Sequence, residues 1–144
     1  MRIGYELFTV YCRHSDGFWL SLIDQARQQG SSRIYSITHL EMVDKTDFKR
    51  FKKLNVTADF QAGGDFFADT KWATDYIGHK RSTSMLPMRE IYDHGANISF
   101  SSDWTVNSIN PLMAIANSLR LRHSRGLPSI HAAIKAATIN GAKA

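Results

Sequence analysis

Asn97-Ile98-Ser99-Phe100-Ser101-Ser102-Asp103-Trp104 is the stretch that decides the fold. An alternating apolar run opens just after the helix stop His94-Gly95 and closes on a carboxylate. A strand that delivers a polar group at its C-terminal end is the pattern of parallel α/β folds, where ligands and catalytic groups gather at that edge. Upstream, Arg33-Ile34-Tyr35-Ser36-Ile37-Thr38 has the same character and delivers His39. A histidine and an aspartate, each ending a strand with helices between, are raw material for a metal-assisted hydrolytic site.

Outward from these segments the period alternates between strand and helix. Residues 6–12 predict a strand and 18–29 a helix that stops at Gly30. After His39 a helix runs over about 45–54, with Asp44 as N-cap and Val43 placed to staple onto Phe48. Residues 55–60 form the next strand, ending at Gln61. The irregular stretch 62–84 carries Gly63-Gly64 and the aromatics Phe66, Phe67 and Trp72. A loop of that length is either a functional lid or an aromatic-anchored surface insertion. Pro87 opens a short helix through Tyr92, stopped by Gly95. Helices over about 111–122 and 128–138 follow, separated by Ser124-Arg125-Gly126. Four strands with crossover helices predict a parallel sheet. No boundary, repeat or low-complexity tract divides residues 1–144, so a single domain is expected.

Composition narrows the class. A chain of 144 residues with 43% hydrophobic and 22% charged content is long enough to bury a core and is not disordered in character. No apolar run approaches the roughly 20 residues that span a bilayer, and the first residues lack the apolar stretch of a signal peptide. Cys12 is the one cysteine, which excludes an internal disulfide and suits a reducing cytoplasm, the expected compartment. The net charge of +5 raises the prospect of a nucleic-acid partner. Yet Lys45, Lys49, Lys52 and Lys53 share their helix with Phe48, Phe51 and Leu54 at three-residue spacing. That pattern predicts a solvated basic face over a buried aromatic stripe, and no nucleic-acid motif accompanies it.

Few residues carry candidate chemistry. Asp103 at a strand end can ligate a metal and take a proton from metal-bound water, or it can simply cap the turn. His39 is a candidate ligand or a hydrogen-bonded structural residue, and Glu41, two residues on, could support it. His94 lies in a helix's last turn, where it suits the dipole. His131 and His123 read as structural, and His14 and His79 lie in loops. There is no His-x-His, Cys-x-x-Cys, His-Glu-x-x-His, phosphate loop or Gly-x-Ser-x-Gly elbow.

Several segments together resemble the amidohydrolase superfamily, in particular its YtcJ-like metal-dependent hydrolases. They are Thr38-His39-Leu40-Glu41-Met42-Val43 with Asp44 and Phe48, then Asn55-Val56-Thr57-Ala58-Asp59-Phe60-Gln61. Ile77-Gly78-His79-Lys80-Arg81, the Gly95-to-Trp104 segment and Thr138-Ile139-Asn140-Gly141-Ala142 follow in the family's order. The resemblance implies the C-terminal half of a (β/α)₈ TIM-type barrel, with about four parallel strands. It makes His39 the strand-six metal ligand or carbonyl-polarising group. It makes Asp103 the strand-eight aspartate that binds the metal and moves the proton of the attacking water. It also implies a divalent metal, zinc being the expected ion, and a small-molecule substrate with a non-peptide carbon–nitrogen bond. The family's N-terminal His-x-His and mid-barrel ligand have no counterpart here. Cys12 or His14 stands near the place of the strand-five histidine. The expectation is therefore a partial barrel, inactive alone, whose partner is a missing N-terminal half. The alternative is a non-catalytic truncated product that self-associates through its open edges, with neither nucleic acid nor membrane as partner.

Overall fold

A computed structural model of the protein describes residues 16–64, 67, 70–121 and 125–144. Three short strands, β1 (Tyr35–Thr38), β2 (Val56–Phe60) and β3 (Asn97–Phe100), pair in parallel in the order β1-β2-β3. Between β1 and β2 stands α2 (Phe48–Lys53), and between β2 and β3 stands α5 (Met88–Asp93). The fold is thus α/β, an arc of parallel strands with crossover helices of the kind that builds a TIM-type barrel. The strand predicted over 6–12 lies outside the described residues.

Local chemistry sets the elements. α1 (Asp16–Gln28) is followed by Gly30 at φ 87°, a left-handed position that glycine holds without steric cost. Asp44 accepts the Thr46 amide at 2.8 Å and starts a 3₁₀ turn, Lys45–Asp47, that runs into α2. Phe48 and Phe51 are buried, while Lys45, Lys49, Lys52 and Lys53 face solvent. The basic run is a solvated helix face, as its spacing predicts. Asn110 and Ser129 cap α6 (Pro111–Arg120) and α7 (Ile130–Ala137) in the same way.

The two faces of the sheet differ in chemistry. Ile37, Val56, Ala58, Phe60 and Ile98 join Phe48, Phe51, Met88, Ile91 and Ala133 in one apolar core. Burying a side chain such as Phe51 is worth about 1.5–3 kcal/mol. On the opposite face, period 2 lines up Ser36 and Thr38, Thr57 and Asp59, and Asn97 and Ser99.

The stretch after β2 is more regular than expected. It holds a 3₁₀ turn, Lys71–Ala73, and two one-turn helices, α3 (Thr74–Ile77) and α4 (His79–Ser82). One-turn helices are too short to show a helical period, so the sequence gives them no signal. Phe67 anchors the segment, fully buried and edge-on to Phe60, whereas Trp72 is exposed. Thr70 donates to the Ser82 carbonyl at 2.8 Å, and Asn117 donates to the carbonyls of Ala62 and Gly64. Arg125, buried to 3% exposure, donates to the Met85 carbonyl and to Thr70 Oγ1. Burial lowers its pKa, and the nearby Glu90 carboxylate opposes that shift.

Candidate active site

β1 ends at Thr38, so His39 is the first residue past the C-terminal edge of the sheet. β3 ends at Phe100 and carries the chain through Ser101 and Ser102 to Asp103 at the same edge. The two residues stand over the outer strands with β2 between them, an axis-to-axis separation of about 10 Å at ordinary strand spacing. Both hold left-handed backbone, His39 at φ 73° and Asp103 at φ 51°, and Leu40 follows at φ 56°. Non-glycine residues rarely adopt this region, and such strained positions cluster at functional sites.

His39 is buried and held on both sides of its ring. Nδ1 lies 3.2 Å from Glu41 Oε1, and Nε2 lies 3.2 Å from Gln61 Nε2. With Nδ1–H donating to the Glu41 carboxylate, Nε2 is the acceptor for the Gln61 amide. A carboxylate behind one nitrogen of an imidazole is also the arrangement that orients histidine ligands of metals. Glu41 is thus the residue against His39 Nδ1. Asp103 is half-buried, and its carbonyl accepts the Val106 amide at 2.6 Å.

Between these residues lies a polar cluster that sequence reasoning passed over. Asp59, 9% exposed, accepts Thr38 Oγ1 at 2.8 Å, Ser99 Oγ at 2.7 Å and Ser101 Oγ at 2.5 Å. Nothing in the sequence marks it beyond its place as the one acid in the strand Val-Thr-Ala-Asp-Phe. A cleft of about 300 Å³ is lined by Met42, Val43, Asp44, Asp47, Arg81, Ser84 and Gly17.

The donors fit a divalent metal in kind but fall short in number. A neutral imidazole and a carboxylate are ordinary ligands, and catalytic zinc sites draw on three protein ligands. Among the described residues no group of three His, Cys, Asp or Glu side chains could hold an ion. Gln61 also occupies the Nε2 face of His39 and must turn aside for His39 to ligate through it. Cys12, His14 and His123 lie outside the described residues. His79 and His131 are exposed, and His94 is a helix terminus whose Nδ1 lies 2.7 Å from the Glu90 carbonyl. Among the described residues no helix is long and apolar enough to cross a membrane.

A model of the amidohydrolase family matches residues 20–144. Among solved structures, the chain is similar to an uncharacterized metal-dependent hydrolase from Pyrococcus horikoshii OT3, with TM-score 0.70 and 19% identity over 89% of this chain and 27% of that one. It is also similar to an uncharacterized metal-dependent hydrolase from Pyrococcus furiosus, with TM-score 0.68 and 18% identity over 85% of this chain and 25% of that one. At these identities the likeness establishes the fold. The chain spans about a quarter of the length of these two structures. No curated protein matches it.

Proposed function

The chain belongs to the amidohydrolase family, and from that premise we propose that it supplies part of the active site of a metal-dependent hydrolase of non-peptide carbon–nitrogen bonds. One observation carries the reading: His39 and Asp103 stand at the same edge of a parallel sheet on strained backbone. In a completed site the divalent metal, zinc by expectation, would supply Lewis acidity and an activated water. His39, oriented by Glu41, would be one ligand. Asp103 would be a second and would hold the proton taken from the water before passing it to the leaving nitrogen.

Among the described residues the donors are too few for this chemistry, so the reading includes complementary strands from the rest of a barrel. The free edges of β1 and β3 among the described strands are the surfaces those strands would join. A second reading, a non-catalytic self-associating protein, draws on the exposed apolar side chains Trp104, Val106, Ile109 and Leu112.

The discriminating experiment purifies the tagged chain from its native cells with whatever it binds. That material is assayed on a panel of cyclic and linear amides, beside recombinant chain alone. The expected result is metal-dependent hydrolysis only in the native assembly, abolished by Asp103→Asn. Turnover indifferent to Asp103→Asn would refute the role of that residue. A homo-oligomer without metal or turnover would favour the second reading.

A further inference from the structure

Asp59 has no part in the chemistry above, yet it is the most heavily bonded buried acid among the described residues. Its two carboxylate oxygens are used differently. Oδ1 takes only the hydroxyl of Ser99, its register partner on β3. Oδ2 takes two hydroxyls, Thr38 from β1 and Ser101 from beyond the end of β3. Thr38 is joined directly to His39, and Ser101 lies two residues before Asp103. Just past the end of β2, Gln61 contacts His39 Nε2. The middle strand thus grips both outer strands at the points where they hand over to the site residues.

We propose that Asp59 is a positioning residue that sets the placement of His39 and Asp103 across β2, a role that rests on the site reading above. A carboxylate suits the task because its two oxygens can accept several hydrogen bonds at once, as they do here from three hydroxyls. All three hydroxyls then point inward, and the strand ends converge on one atom. An asparagine of the same shape has a single acceptor oxygen. With its NH₂ in the place of Oδ2, Thr38 and Ser101 would have to reverse their hydroxyls and give up the shared acceptor. The strand ends would then move independently, at just the residues that precede the strained His39 and Asp103.

The test needs neither metal nor substrate, so its outcome is separate from that of the hydrolysis assay. In the full chain, Asp59→Asn is compared with Ser99→Ala, which removes a buried bond to the same carboxylate away from both site residues. Nuclear magnetic resonance follows the His39 ring nitrogens and the amides of Ser102, Asp103 and Trp104. Asp59→Asn is expected to displace both sets of signals by more than a linewidth, and Ser99→Ala neither. Should Asp59→Asn fail to fold, single donor deletions replace it. Thr38→Val is then expected to move the His39 signals and Ser101→Ala the Asp103 signals. Signals that stay in place, or that move equally in Ser99→Ala, overturn the assignment and leave Asp59 a structural bond between strands.

Discussion

His39 and Leu40 hold consecutive left-handed conformations at φ 73° and 56°, a costly arrangement for two side-chain-bearing residues that persists only where surrounding contacts enforce it. Those contacts are visible: Glu41 and Gln61 on the ring, and the Leu40 core contact behind. A few residues on, Asp44 accepts both the amide and the hydroxyl of Thr46. These bonds favour its ionised form and hold its pKa below the ordinary carboxylate range, with the side-chain bond the larger cause. A folded-state pKa below the unfolded value gives stability that is present above the unfolded pKa and lost as pH falls through the folded one. Asp44→Ala should therefore lower Tm at neutral pH, and the gap to wild type should narrow on acidification below about pH 4. Thermal melts across that range check it. At this scale the sequence was legible where a residue acts locally: Asp44 as a cap, Gly30 as a helix stop, Glu41 beside His39. It was silent on Asp59 and Arg125, whose partners lie far along the chain and come together only in the folded sheet and insertion.

Elements were legible in proportion to their length and period. α2 was marked by Phe48 and Phe51 set against three lysines, and it buries those two rings. Phe51→Ala should cost about 3–5 kcal/mol, because a large cavity opens in the apolar core. Lys49→Ala, on the exposed face of the same helix, should stay within about 0.5 kcal/mol of wild type. Urea denaturation of the pair measures the difference, and near-equal losses would contradict the placement of the helix. The strands show the same logic in period 2, although their polar residues line one coherent face rather than scattering. The segment after β2 was the least legible. Its helical turns are short, and its fixed points are isolated long-range contacts: Phe67 under Phe60, Thr70 on Ser82, and Arg125 on Met85.

For the whole molecule, parallel pairing brings the ends of β1 and β3 to one edge, and the family match covers residues 20–144. The order of motifs made that architecture readable before any coordinates. Among the described residues no three-donor cluster forms. The strand ends can therefore be expected to hold a metal ion weakly through His39 and Asp103. Cobalt(II) titration of the purified 144-residue chain, followed by absorption, tests this most directly. The account predicts weak one-to-one binding that His39→Ala and Asp103→Asn each reduce by at least the roughly 10–100-fold typical of losing even a supporting partner. Affinity unchanged by both substitutions would contradict it.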